Sequence, residues 1–354
     1  MKKVLIVIIV ILLLGGLGYV TYELIKKETP KTKKTVEVVK DPLLVYRCID
    51  NTNSLCGINE DGKVKDLNNI DNVLSIDGAG GRSFDVYKET LYYLDTNYIL
   101  HIQDFKKKIE DTVELGDKLK AKDYLDVYAG DGYVLMNDEG VGYIYSIKDK
   151  SLTQTAIKQD RVAGYNYFNR NNNTFYYTNG DSLFAYNVVT KNNANISGNY
   201  KVYGISEKYS NDDNLIFSVD STYYAYNYNT QKINKVLDNA MADDTIIKFD
   251  GNSVMYTHQG KILSKSSAKE LTVEKDFELP NDGYIDYSGI STNKFALIGV
   301  YVVKCSNGEY GGTCGGLLSN VYRYNYKDGS LTDLSEEYSD VYNLIHDSEY
   351  VLYR

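Results

Sequence analysis

The chain has 354 residues, of which 43% are hydrophobic, so it can bury a substantial core. Its net charge is −9, and setting aside the eight lysines and three glutamates of residues 1–40 leaves 31 basic and 45 acidic residues, a balance of −14. Because a nucleic-acid partner requires a basic surface that displaces counterions, this acidity argues against nucleic-acid binding.

An apolar segment opens the chain. Residues 1–3 form a short basic n-region, and residues 4–20 form an apolar run of about 17 residues, near the lower limit for a membrane-spanning helix. The same pattern fits a signal peptide, but no Ala-x-Ala cleavage site follows it. The sequence therefore predicts one N-terminal transmembrane helix that acts as a signal anchor, with secretion after cleavage as the alternative.

A polar segment separates this run from the rest of the chain. Residues 21–41 are rich in lysine and threonine, contain Pro30 and show no apolar periodicity, which predicts an extended tether. The tether has more lysines than the n-region, and this bias alone would favour a cytoplasmic main domain. The n-region, however, is too short to be a convincing translocated segment.

The four cysteines favour the opposite orientation. Cys48 and Cys56 flank a polar turn, and Cys305 and Cys314 flank a glycine-rich loop. A strand–turn–strand would bring each pair together, so two disulfides are predicted, with free thiols as the alternative. Disulfides are typical of oxidising compartments, and neither spacing is that of a zinc knuckle. We therefore expect a single-pass cell-membrane protein whose main domain is extracytoplasmic.

Residues 42–354 repeat a pair of apolar-aromatic strands with a period of about 38–45 residues. One pair is Phe175-Tyr176-Tyr177-Thr178 followed by Leu183-Phe184-Ala185-Tyr186-Asn187. Four short strands fit in each period and no helical pattern interrupts them, which favours an all-β, seven-bladed β-propeller. Six blades fill the middle of the domain, and residues 43–49 and 350–353 would close the seventh from both chain ends. Six or eight blades are the alternatives.

These tyrosine-rich strand pairs resemble those of extracytoplasmic bacterial β-propellers anchored by an N-terminal transmembrane segment. The resemblance extends over residues 43–354 and rests on short tyrosine motifs that recur in many propellers. It implies a ring of blades around a central channel. It implies no particular reaction, since such folds serve as binding platforms, assembly scaffolds and enzymes.

The turns between the second and third strands of the repeats carry aspartates at comparable positions. These residues are Asp95, Asp138, Asp181 and Asp220. Aspartate favours turns because its side chain bonds nearby backbone groups. The functional alternative is a ring of oxygen ligands for Ca²⁺ or for a cationic group. No other metal site and no cofactor are predicted, because the three histidines are scattered and no metal-binding or hydrolase motif occurs.

An insertion at residues 303–319 occupies the same turn position in the sixth repeat. It is predicted to be a glycine-rich loop cross-linked by Cys305 and Cys314, with Tyr310 at its tip. A disulfide reduces the entropic cost of ordering such a loop, and an exposed aromatic ring is a common anchor for a partner. We therefore expect Tyr310 and the four aspartates to share the surface that contacts a ligand or partner.

The predicted function is a cell-surface binding or scaffold protein that recognises a protein or an envelope polymer, without catalysis. One alternative is an envelope-assembly or sensing component. Another is a glycan- or peptide-acting enzyme that uses carboxylates at the mouth of the channel.

Overall fold

The computed structural model divides the chain into two units, Met1–Glu37 and Val38–Arg354. It describes residues 44–47, 54–58, 64–67, 70, 72–74, 82–104, 109–116, 118–119, 125–138, 141–158, 166–206, 210–240, 244–266, 269–277, 279, 283–291, 294–305, 314–335 and 350–352. The predicted n-region, anchor and tether lie outside these residues. Within the described ranges, no helix has the length and hydrophobicity needed to cross a membrane.

The described residues form 28 strands in seven four-stranded antiparallel sheets. The first sheet contains β1 (Leu44–Arg47), β2 (Leu55–Ile58), β3 (Val64–Asp66) and β28 (Tyr350–Leu352). The second contains β4 (Phe84–Tyr87), β5 (Thr90–Leu94), β6 (Ile99–Asp104) and β7 (Ile109–Glu114). The third contains β8 (Leu125–Gly130), β9 (Tyr133–Asp138), β10 (Val141–Ser146) and β11 (Ser151–Lys158).

The remaining four sheets follow in chain order. The fourth contains β12 (Asn166–Asn169), β13 (Thr174–Asn179), β14 (Ser182–Asn187) and β15 (Asn193–Asn195). The fifth contains β16 (Gly204–Ile205), β17 (Asn214–Val219), β18 (Thr222–Asn227) and β19 (Lys232–Leu237). The sixth contains β20 (Thr245–Phe249), β21 (Ser253–His258), β22 (Lys261–Ser266) and β23 (Lys269–Asp276). The seventh contains β24 (Gly283–Ser291), β25 (Phe295–Cys305), β26 (Cys314–Asn325) and β27 (Leu331–Asp333). The prediction of an all-β domain of repeated four-stranded units is confirmed for the described residues.

The two ends of the described chain meet in the first sheet. Strand β28 pairs antiparallel with β1 in the register Leu44↔Leu352, Val45↔Val351 and Tyr46↔Tyr350. The prediction that the C-terminal strand pairs with the first N-terminal strand is therefore confirmed. This pairing covers an edge of β1 that would otherwise present free backbone groups to other chains.

Hydrophobic clusters lie between consecutive sheets, and tyrosine supplies much of their volume. Leu94 and Leu100 of the second sheet pack with Val127 and Val134 of the third, for example. Tyr177 and Tyr324 are among the largest fully buried side chains. Burial raises the pKa of Tyr92 to about 12 because the charged phenolate is poorly solvated in the interior. The tyrosine excess in the sequence therefore builds core, since the ring packs on a pleated strand.

Candidate functional site

Each sheet is an up-and-down antiparallel arrangement, so its successive turns lie alternately at two opposite ends of the sheet. The turns between the first and second strands of the sheets lie at one end, which we call the first-turn face. These turns are residues 88–89, 131–132, 170–173, 211–213 and 250–252. We call second-turn face the ends carrying the turns between second and third strands. It comprises residues 95–98, 180–181, 220–221 and 259–260 together with the facing ends of β25 and β26.

The first-turn face contains a buried ion pair that ties three sheets together. Asp85 of β4 is fully buried, and its Oδ2 accepts a hydrogen bond of 2.7 Å from the backbone N–H of Ala129 in β8. Arg170, in the turn after β12, donates through Nη2 to Asp85 Oδ1 at 2.6 Å and through Nε to the Ala129 carbonyl at 3.2 Å. The carboxylate and the guanidinium therefore fix the second, third and fourth sheets relative to one another.

The same kind of contact continues around this face. Asn169 donates to the carbonyl of Asp212 at 3.4 Å, so the fourth sheet is tied to the first turn of the fifth. Asn211 in that turn donates to the carbonyl of Phe249 at 2.8 Å, which reaches the sixth sheet. Asparagine side chains thus bond backbone carbonyls of the neighbouring sheet at this face.

A second buried carboxylate, Asp126 of β8, lies near the start of the first strands. It accepts a hydrogen bond from the backbone N–H of Arg82 at 3.0 Å and one from Asn166 Nδ2 at 3.2 Å. Asp85 and Asp126 are therefore both held by hydrogen bonds between neighbouring sheets. This arrangement gives both carboxylates a structural role.

On the second-turn face, Asp95 is an almost completely buried turn residue. Its Oδ1 accepts hydrogen bonds from the backbone N–H groups of Asn97 at 2.8 Å and Ile99 at 2.9 Å. Its Oδ2 lies 3.2 Å from His101 Nε2, and His101 Nδ1 lies 2.5 Å from Glu110 Oε1. The carboxylate thus orders the turn in the way that aspartate typically does.

Asp181 and Asp220, by contrast, lie on the surface and converge on one tyrosine. The segment between β15 and β16 is held by hydrogen bonds from Val202 N–H to the Asp181 carbonyl at 2.9 Å and from Tyr203 N–H to the Ser218 carbonyl at 3.0 Å. Tyr203 remains 58% exposed. The charge of Asp220 and its hydrogen bond, with a further contribution from Asp181, raise the pKa of Tyr203.

The structure therefore brings together two of the four predicted aspartates and adds an aromatic residue that the strand pattern did not single out. Tyr203 lies in a segment between two sheets, outside the repeated strand pairs. Its signal in the sequence is the apolar pair Val202-Tyr203 at the end of the connection of residues 196–203. Val202 is buried and Tyr203 is exposed, so the pair anchors the segment and presents one ring.

The other predicted residues are placed as follows. Asp138 ends β9, where its backbone pairs with Leu125 and Val141. Cys56 is buried in β2, while Cys48 and Tyr310 lie outside the described residues. Cys305 and Cys314 are direct partners at the end of the β25–β26 ladder. In the part of the chain that the structure describes, no cluster of three acidic, histidine or cysteine residues is suited to a metal ion.

The insertion differs from the expected loop. Strand β25 has 11 residues and β26 has 12, and their ladder extends past one register shift, at Ser319, to Cys305↔Cys314. Only residues 306–313 lie between the two strands, so most of the predicted 303–319 loop is a long hairpin. The physical reason is local sequence: Tyr301-Val302-Val303 and Leu317-Leu318 favour extended backbone.

No known protein family model matches the sequence, and no curated protein matches it. Solved structures with a partial resemblance include the WD40 repeats of RRP9, at 11% identity over 74% of this chain and 83% of that one, with a TM-score of 0.43. Kluyveromyces lactis Hsv2 is 12% identical over 75% of this chain and 92% of Hsv2, with a TM-score of 0.45. PorZ is a bacterial surface component of the type-IX secretion system of Porphyromonas gingivalis. It is 12% identical over 80% of this chain and 43% of PorZ, with a TM-score of 0.42. At these values the resemblances carry no argument about what this chain binds.

Proposed function

We propose that residues 42–354 form a seven-bladed β-propeller presented outside the cell membrane, and that it binds a protein partner through its second-turn face. Seven four-stranded sheets within the described residues, with β28 paired to β1, support the blade number and the closure of the ring by both chain ends. A closed ring of this kind is a rigid platform whose turns are available for recognition.

The exposure of Tyr203 between Asp181 and Asp220 is the observation that carries this proposal. The ring is 58% exposed on a domain that buries most of its described aromatic residues. Tyrosine combines an apolar ring with a polar hydroxyl and is enriched among the residues that dominate protein interfaces. The two carboxylates beside it favour a partner with a basic or hydrogen-bond-donating group at this point.

The extracytoplasmic location rests on the apolar run at residues 4–20 and on the cysteines. Cys305 and Cys314 face each other in the strand register, which is the arrangement that a disulfide across a hairpin requires. No free cysteine is found in the described ranges. An oxidising environment outside the membrane is consistent with both features.

Site-specific photo-crosslinking in intact cells tests the proposed face. A photoreactive phenylalanine analogue replaces Tyr203 in one strain and Val189 in a matched control strain. Val189 is 51% exposed and lies in the turn after β14, at the end of the fourth sheet opposite to the turn that carries Asp181. We expect discrete protein adducts from position 203 and none of the same size from position 189.

Adducts from position 189 alone would contradict the proposed face, and protein adducts from neither position would contradict protein binding at this surface. The location is tested in the same strains with a membrane-impermeant lysine reagent. Labelling of the domain in intact cells is the expected result, whereas complete protection would show that the lysine-rich tether had set a cytoplasmic orientation.

A further inference from the structure

The outer strands of most sheets carry features that discourage another strand from pairing with them. Charged residues occur throughout β7, β19 and β23, and β15 and β27 have only three residues each. Strand β11 ends in Lys158 and has a shifted register with its neighbour. Charges, short length and irregular register are the means by which natural sheets protect their edges.

One edge of the long hairpin, at residues 314–320, carries no charge and is not short, and its register shifts at a single residue, Ser319. Strand β27 pairs only with Tyr322, Arg323 and Tyr324 of β26, and the N–H of Leu334 bonds the Val321 carbonyl at 2.9 Å. The side of β26 away from β25 is thus covered from residue 321 onward, and residues 314–320 have no strand on that side within the described chain. Their sequence, Cys-Gly-Gly-Leu-Leu-Ser-Asn, contains no charge and no proline.

This edge is well suited to accept a strand. Residues 314–318 form a regular ladder with β25, and the register shifts only at Ser319, so five consecutive backbone units have a fixed extended geometry. Gly315 and Gly316 have no side chain that would hinder the approach of another backbone. Pairing with an exposed edge is a known mode of peptide recognition, in which main-chain hydrogen bonds supply the affinity.

We propose that residues 314–320 of β26 bind an extended segment of a partner protein as an added β-strand, and that this segment carries basic residues beside its paired core. The proposal rests on the protein-binding function proposed above and specifies how the partner is held. The basic flanks follow from charge complementarity, since the domain beyond residue 40 has 31 basic and 45 acidic residues. The same excess of negative charge disfavours a second copy of this chain as the occupant.

Hydrogen–deuterium exchange of the full-length chain in detergent, read by mass spectrometry, tests this binding mode. The probe is a synthetic ten-residue peptide in which alternating threonine and valine are flanked by two lysines at each end. A matched peptide has the same side chains with N-methyl groups on alternate core residues, which removes the hydrogen-bond donors of one edge. A third peptide replaces the lysines by glutamates.

We expect the lysine-flanked peptide to slow amide exchange in residues 314–320 on the order of tenfold, with no change in the charged edge of β7. The N-methylated and glutamate-flanked peptides should leave the exchange rates of residues 314–320 unchanged. Leu318→Lys places a charge on the edge, so the peptide should no longer slow amide exchange in residues 314–320 of this variant. The amides that bond β25 to β26 should still exchange slowly, which shows that the hairpin is intact.

Absence of protection by the lysine-flanked peptide, or equal protection of β7, would overturn the proposal. Equal protection by the glutamate-flanked peptide would overturn the charge argument, and protection that increases with protein concentration alone would identify a second copy as the occupant. The two proposals fail separately. If crosslinks form from position 203 while the lysine-flanked peptide gives no protection to the unsubstituted chain, only the added strand is wrong.

Discussion

The two faces of the domain carry similar polar residues but use them differently. On the first-turn face, Asp85 is fully buried and bonded to Arg170 and to the backbone of a neighbouring sheet. On the second-turn face, Asp181 and Asp220 are exposed and flank an exposed Tyr203. The residue types alone do not distinguish these roles. The distinction is set by whether a neighbouring sheet covers the residue, because the covered Asp85 joins sheets together whereas Asp181 and Asp220 remain exposed.

The largest expected effect comes from breaking the buried ion pair of the first-turn face. Asp85→Ala leaves the Arg170 guanidinium and the Ala129 N–H without their carboxylate, which should lower the free energy of unfolding by about 3–5 kcal/mol. Urea denaturation measures this. Asp131→Ala is the control, because Asp131 bonds Lys88 with both side chains largely exposed. Its expected cost is below about 1 kcal/mol, and equal costs for the two variants would contradict the comparison.

Asp95→Ala should have an intermediate effect, because this residue belongs to the second-turn face but is buried. The substitution removes the acceptor for Asn97 N–H and Ile99 N–H and one partner of His101. We expect a loss of about 1–2 kcal/mol in unfolding free energy, since these turn N–H groups can recover water. Asp181→Ala, an exposed residue of the same face, serves as the reference and should change stability by less than about 0.5 kcal/mol. A larger loss for Asp181→Ala than for Asp95→Ala would be inconsistent with the roles assigned here.

These two faces also show how far sequence reasoning reaches. The strand repeat predicts the all-β fold, and counting its units predicts that residues 350–353 pair with the strand near residues 43–49, as β28 and β1 do. The alternation of strands and turns likewise puts Asp95, Asp181 and Asp220 in second turns, where the structure has them. Those predictions succeed because they depend on local periodicity and on the need to cover open sheet edges.

The contacts between sheets are not accessible to the same reasoning. Asp85 and Arg170 are 85 residues apart, and nothing in either local sequence indicates the other as its partner. The convergence of Asp181 and Asp220 depends on the path of the segment between β15 and β16, which contains no repeated motif. The glycines of residues 308–316 predict a loop, whereas the valine, tyrosine and leucine residues on either side of them extend the two strands.

Tyr203→Ser should separate binding from stability. Because the ring is 58% exposed, its removal is expected to change the free energy of unfolding by less than about 0.5 kcal/mol. Partner binding, measured with the crosslinked partner once identified, should weaken on the order of tenfold or more. Val189→Ser is the matched substitution of an exposed residue at the other end of the fourth sheet, opposite to Asp181, and it should leave the affinity unchanged. Comparable losses of affinity in both variants would remove the distinction between the faces.

The smallest effect is a titration shift that tests the geometry around Tyr203. The charge of Asp220 and its hydrogen bond raise the pKa of this phenol, so Asp220→Asn should lower the pKa toward that of an ordinary tyrosine. NMR of chain labelled with ¹³C-tyrosine, assigned by comparison with Tyr203→Phe, measures the change. Asp131→Asn is the control and should not move this resonance. An unchanged pKa in Asp220→Asn would show that the carboxylate does not lie beside the ring.

The most direct test of the account is a footprint of the bound partner on the full-length chain, obtained by hydrogen–deuterium exchange with and without the protein captured at position 203. The account predicts slower exchange at residues 180–181, 202–203 and 220–221 of the second-turn face. It also predicts unchanged exchange at residues 88–89, 131–132 and 211–213 of the first-turn face. Protection confined to the first-turn residues would contradict the claim that the second-turn face is the binding surface.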